Sequence, residues 1–253
     1  MAEHFHPHLD PETLRAKAGE LRAHYAGMAS WGIRENKVAS WMRDVPKAGR
    51  VLDIGSGSGA LSEMLLSLGF RNLQPCDIHD YRSSPAAQAL PFTQWDANHD
   101  RLPFADGSVD GVIALQMLEH VENPWHAVRE FARVLKVGGR CVISIPHGFS
   151  LPSRLRFLRS GNVIGFNLRN NHISFQTADV FQKMVGPYFT LERTDYSNPF
   201  IRFAGRKLRL PPVAWVQRRL SEKVCYVLRR HDRPVDVGTW KGYASYDPAA
   251  THP

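Results

Sequence analysis

The chain has 253 residues, 43% hydrophobic and 22% charged, which suits one large domain with a full core and some decoration. No apolar run approaches the roughly 18–20 residues that span a bilayer, and the opening MAEHFHPHLDPETL has no apolar stretch after a basic one. Neither a transmembrane segment nor a secretory leader is expected, and the cytoplasm is the expected compartment. The formal charge of +8 is uneven: residues 1–150 carry 15 Lys/Arg against 17 Asp/Glu, residues 151–253 carry 17 against 7, so the C-terminal part alone points to an anionic partner.

In chain order, residues 1–45 form a helical extension, with Leu14, Ala18, Leu21 and Tyr25 on one apolar stripe and Ile33, Val38, Trp41 and Met42 on a second. The alternating His4, His6 and His8 read as a solvated tail, with capture of a stray metal as the alternative. From residue 46 to 253 the pattern changes. VLDI, the helical stretch Leu61–Leu68, NLQPC, FTQW, VDGVIAL, the helix Pro124–Leu135 and RCVISIP alternate strand with helix, which predicts right-handed βαβ units and a mostly parallel sheet. After Pro146 come an amphipathic helix in LPSRLRFLRSG, a Thr177-capped helix through Val185, the strand YFTLERTDY, a segment containing Pro199, Pro211 and Pro212 that reads as an insertion, and the strand KVCYVLRR. A basic lid or insertion is thus expected around 147–222. Cys76, Cys141 and Cys225 are far apart without C-x-x-C spacing and read as buried small hydrophobes.

The segment Val51-Leu52-Asp53-Ile54-Gly55-Ser56-Gly57-Ser58-Gly59 runs a strand into a glycine-rich turn that opens a helix. Gly55, Gly57 and Ala60 also satisfy a dinucleotide fingerprint, and Asp53 separates the two readings. A carboxylate at the strand tip opposes a pyrophosphate but attracts the sulfonium and α-ammonium of S-adenosylmethionine. Asp77, 22 residues after Gly55, is spaced to accept ribose hydroxyls. Asp96 and the backbone of Ala97 suit an adenine edge, with Ile78 and Trp95 either flanking the ring or belonging to the core, the two readings standing evenly for Trp95.

Four ordered motifs between about Arg50 and Pro146, VLDIGSGSG, Asp77, LPFADGSVDGVIALQMLEHV and RVLKVGGRCVISIP, give a chain that resembles the class I S-adenosylmethionine-dependent methyltransferases, especially the ubiquinone-pathway and glycan O-methyltransferase group. The resemblance implies a doubly wound, Rossmann-like α/β fold with a seven-stranded, mostly parallel sheet whose last strand is antiparallel. It also implies S-adenosylmethionine as cofactor, surrounded by Asp53, Gly55, Gly57, Asp77, Asp96, Ala97 and Gln116. CDIHDYRSSPAAQALPFTQWD departs from the family by lacking a clear second crossover helix.

Methyl transfer to an alcohol or phenol benefits from a general base, and His120, His147 and His172 follow strand ends or lie in loops near the expected site. No compact carboxylate–histidine cluster is evident, so no metal is expected. SRLRFLRSG and IRFAGRKLRLPPVAWVQRRL mix arginine with Leu, Phe and Trp, as an anionic lipid surface or a lipid- or phosphate-linked substrate requires, or as a solvated lid would also show. The expectation is O-methylation of a small molecule, glycan or lipid-linked intermediate, with peripheral contact to an anionic membrane. RNA methylation and a non-catalytic cofactor-binding subunit are the alternatives. A pI of 9.6 favours RNA, whereas Gln116-Met117-Leu118 after the fourth strand lacks the motif associated with base-amine methylation.

Overall fold

A computed structural model describes residues 35–168, 170–197, 200–203, 206–209 and 213–233. The first predicted helix, the His4–His8 tail and the last twenty residues lie outside these. The described chain runs α1 (Glu35–Trp41), β1 (Arg50–Ile54), α2 (Ala60–Ser67), β2 (Asn72–Asp77), α3 (Pro85–Gln88), β3 (Thr93–Gln94), β4 (Val109–Leu115), a 3₁₀ turn (Leu118–His120), α4 (Pro124–Val134), β5 (Leu135–Pro146), α5 (Leu151–Ser160), α6 (Ala178–Val185), β6 (Phe189–Tyr196), β7 (Phe200–Phe203), β8 (Arg206–Arg209), α7 (Ala214–Leu220) and β9 (Lys223–Arg230). Among the described residues no helix is long and apolar enough to cross a membrane.

Seven strands form one sheet in the order β3-β2-β1-β4-β5-β9-β6, and β7 pairs with β8 in a separate hairpin. The pairs β3–β2, β2–β1, β1–β4 and β4–β5 are parallel, and β9 runs antiparallel to both neighbours, β5 and β6. The expected Rossmann-like sheet is therefore present. The strand order runs outward from β1 to both sides, to β2 and β3 on one and to β4 and β5 on the other, which opens a crevice beyond the carboxyl ends of β1 and β4, the place where such sheets bind ligands.

Each sheet face is covered by its own apolar layer. On one, Phe131, Val128 and Ala127 of α4 pack with Trp95, Ile143 and Val112. On the other, Val38, Trp41, Met42 and Val45 join Val51, Ile113 and Val142, so residues 35–45 share a core with the sheet. Trp41 Nε1 also donates to Asp195 Oδ2 at 2.5 Å, tying α1 to β6. At the far end of the strands, buried Arg140 on β5 bridges Asp44 and Glu192, which also pair with Arg229 of β9.

The connection from β2 to β3 is the departure noted above, and α3 is a single turn capped by Ser84 Oγ. Buried Arg82 takes over the helix's organising role. Its guanidinium donates to Ala87 O at 2.6 Å and Leu90 O at 2.7 Å while pairing with Asp80 at 2.8 Å. An internal cation thus satisfies carbonyls that a longer helix would have bonded itself.

Phe131 is fully buried and its ring meets Trp95 at 6.2 Å between centroids. Phe131→Ala is expected to lower unfolding stability by about 3–5 kcal/mol, read from the midpoint of chemical denaturation at unchanged slope.

Candidate functional site

Three glycines after β1 adopt left-handed backbone, Gly55 at φ 69°, Gly57 at 48° and Gly59 at 84°. The turn is tethered to β2 by Gly55 and Ser56 N–H groups, which both donate to Cys76 O at 2.9 and 3.2 Å. A Cβ on Gly55 would sit 2.7 Å from the Met117 side chain, so the loop following β4 is packed directly onto the glycine turn.

Two carboxylic acids stand behind this turn. Asp53, 1% exposed, accepts from Ser62 Oγ at 2.6 Å. Asp77 accepts from Gly57 N–H and Ile78 N–H, both at 2.8 Å. Burial is the main force raising both acids, Asp53 to about 7 and Asp77 to about 6, and the Asp77 charge adds to the rise at Asp53. Among the described residues neither has an ion-pair partner, so the crevice holds negative charge without a cation of its own.

The remaining sequence-expected cofactor residues sit at the same edge of the sheet. Half-buried Ile78 follows β2. Asp96, after β3, accepts from Asn98 N–H at 2.8 Å and from the Asn98 side-chain amide at 2.9 Å, and Ala97 is buried beside it. Trp95 belongs to the core, with its indole N–H donating to Asp100 O at 2.8 Å. Gln116 follows β4 and is the one non-glycine residue at positive φ (55°) among the described residues. Its N–H donates to Ser144 O at 2.9 Å and its side-chain amide to Ser144 Oγ at 3.2 Å. Such backbone costs roughly 1–3 kcal/mol and concentrates where ligands bind.

The three histidines divide into two places. His120 and His172 meet edge to face, 4.7 Å between ring centroids. The loop bearing His172 is fastened to the 3₁₀ turn by Ile173 and Ser174 N–H groups, which donate to Glu119 O at 2.8 and 3.1 Å. His147 is held instead toward the start of β9, with Nδ1 3.1 Å from Ser221 O and its ring 5.4 Å from that of Tyr196. Burial lowers all three, His120 to about 4 with help from His172, so each imidazole is neutral at pH 7.

The sequence reading saw no compact carboxylate–histidine cluster, and the structure corrects it. Ligand atoms of Glu119, His120 and His172 all lie within 4.8 Å of one another. The cluster was hidden because His172 is far along the chain and arrives only through the backbone bonds to Glu119.

Comparison with known proteins accords with this geometry. Residues 52–143 match the family model described as "Methyltransferase domain". An uncharacterised methyltransferase of Mycobacterium sp. (strain JLS) is 37% identical over 101 residues, 39% of each chain. The chain carries a class I S-adenosylmethionine-dependent methyltransferase domain. It spans about two-fifths of the length of the curated relatives it matches. A SAM-dependent methyltransferase of Archaeoglobus fulgidus has the same fold, with TM-score 0.57 at 16% identity over 81% of this chain and 99% of that one. Another from Mesorhizobium loti gives 0.53 at 16% identity over 81% and 100%. S-adenosylmethionine, the cofactor of this domain, fits the site because it would bring cationic groups to Asp53 and ribose hydroxyls to Asp77, two acids without an ion-pair partner among the described residues.

The raised acids set a pH dependence. An unfolded Asp titrates near 3.9 whereas folded Asp53 titrates near 7, so between those values the folded state holds a proton the unfolded chain has lost. The Asp53 contribution to the stability of the ligand-free protein therefore falls as pH rises from about 4 to 7. Asp53→Asn should flatten this slope and raise the melting temperature at pH 8 by at least about 2 °C. A melting temperature that drops at pH 8 would contradict the picture of an unpaired buried acid.

Proposed function

We propose that the protein transfers a methyl group from S-adenosylmethionine to an oxygen of a small-molecule, glycan or lipid-linked acceptor. The observation that carries this reading is the pair of acids without ion-pair partners among the described residues, buried Asp53 and half-buried Asp77, behind a left-handed glycine turn. Bound, the cofactor supplies a methyl carbon activated by positive sulfur.

The chain's own residues hold and orient. Gly55 and Gly57 keep side chains out of the ligand's path. Asp53 faces its positive end, Asp77 takes the ribose, and Asp96, Ala97 and Ile78 form the adenine wall. Gln116 is held in a strained backbone beside the transfer point. For a direct displacement, alignment of this kind supplies about 7–11 kcal/mol of the barrier. Activation of the acceptor hydroxyl falls to His120, His147 and His172. Neutral imidazoles accept protons, and burial pushes His120 to about 4, which makes it a weak acceptor.

The acceptor reading is supported by the surface after β5. On α5, Leu155, Phe157 and Leu158 are 59, 54 and 82% exposed between Arg154, Arg156 and Arg159. Helix α7, which packs beside α5, leaves Trp215 66% exposed and ends in Arg218 and Arg219. Exposed apolar side chains among arginines suit the interface of an anionic membrane, where the acceptor is lipid-linked or the enzyme docks to reach it. RNA would engage the arginines but leave these apolar groups in water.

Calorimetry separates the readings. S-adenosylmethionine should bind and NAD should not, with affinity rising between about pH 5 and 8 as Asp77 and Asp53 ionise. Asp77→Ala should weaken binding about 10- to 100-fold, the loss of charge-assisted hydrogen bonds. Binding of NAD in place of S-adenosylmethionine defeats the proposal. With labelled cofactor and lipid extract, His147→Gln should slow methyl transfer at least about a hundredfold at unchanged cofactor affinity; cofactor binding without turnover on any acceptor favours the non-catalytic subunit.

Vesicle sedimentation tests the surface. Vesicles containing phosphatidylglycerol should retain the protein at low salt and pure phosphatidylcholine should not. Leu155→Ser with Leu158→Ser should abolish retention, and retention indifferent to that change removes the membrane contact.

A further inference from the structure

Glu119 is completely buried, yet neither carboxylate oxygen has a hydrogen-bond partner. His172 Nδ1 is also buried and unpartnered. His120 turns Nδ1 toward Asn171 O at 3.3 Å, a contact that fixes the ring and directs Nε2 to the opposite side. Three donor atoms within 4.8 Å of each other, two of them on residues with buried unsatisfied groups, form an arrangement that costs free energy unless something fills it.

We propose that Glu119, His120 and His172 bind one divalent transition-metal ion, zinc being the reference case. The donors are two imidazoles and one carboxylate, a set that suits zinc, iron or cobalt better than magnesium or calcium, which prefer all-oxygen shells. Zinc sits about 2.0–2.2 Å from such donors, so small side-chain rotations close the cluster. Three protein ligands leave positions open, the pattern of a catalytic rather than a structural site. The Phe166 ring stands edge-on to His172, 5.3 Å between centroids, and gives the cluster an apolar wall.

The electrostatics agree with this geometry. Burial raises Glu119 to about 8 and lowers both histidines, so without a cation the carboxyl is protonated while the imidazoles are already in the ligand form. Lys223 is the competing cation. Burial lowers its ammonium to about 8 and Glu119 acts on it through space, but no Glu119 oxygen bonds to it. With the metal bound, His120 and His172 would act as ligands rather than as bases, and the open positions would take an acceptor oxygen and lower its pKa. That role rests on the methyl-transfer reading, whereas metal binding does not.

The test uses the full chain with His4, His6 and His8 changed to alanine, because those alternating histidines are alternative ligands. After chelator treatment, Zn²⁺ is titrated against a chromophoric chelator and Co²⁺ binding is followed by its d–d absorption. The expected result is one equivalent per chain. Loss of outer-shell partners alone costs about 10- to 100-fold in affinity, so Glu119→Gln and His172→Ala should each lose at least that, while His126→Ala should not change it. If Glu119→Gln fails to fold, His172→Ala decides. Lys223→Met should hold or tighten affinity. Absence of stoichiometric binding, binding that survives His172→Ala, or binding lost with Lys223→Met overturns the assignment. S-adenosylmethionine affinity measured on the same samples keeps failure of this site distinct from failure of the methyltransferase reading.

Discussion

Negative charge enclosed without its counter-ion is the constraint around which this crevice is organised. Asp53 and Asp77 cannot both ionise cheaply while desolvated and close together, and among the described residues no lysine or arginine pairs with either. Filling the space with an internal cation would stabilise the free protein and close the site. The fold leaves the deficit for a ligand to complete, and the glycine turn leaves the room. The same logic recurs at Glu119, where a further buried acid stands among neutral imidazoles.

What holds these groups is the sheet order. Because β2 and β4 flank β1 on its two sides and both run parallel to it, Asp53, Asp77 and Gln116 all emerge at one edge. Met117 against Gly55 and the Ser144 contacts to Gln116 then lock the neighbouring loops together. Arg82 shows a different solution nearby, where a paired cation is used for structure, bracing a crossover too short to brace itself.

Much of this is legible in the sequence. VDGVIAL is β4 residue for residue, and Thr177 does cap α6 through Val180 N–H. The glycine turn was readable because its chemistry is local. Three things were not. The β7–β8 hairpin was read only as an insertion, although two short runs separated by two residues carry a hairpin spacing. Trp95 was evenly divided between adenine wall and core, and its burial against Phe131 depends on a helix far along the chain. Pairing of His172 with His120 depends on two backbone bonds to Glu119 O that no side-chain pattern encodes.

The strand order also bears on how the chain reaches this state. β9 is the last described strand in sequence but lies inside the sheet, between β5 and β6. During synthesis β5 must wait with an unpaired, largely apolar edge until residues 223–230 leave the ribosome, and β6 has nothing to zip onto before then. A naked edge of that sort is an invitation to the wrong neighbour. The nascent protein is therefore most vulnerable to misassembly in the interval between its sixth and ninth strands.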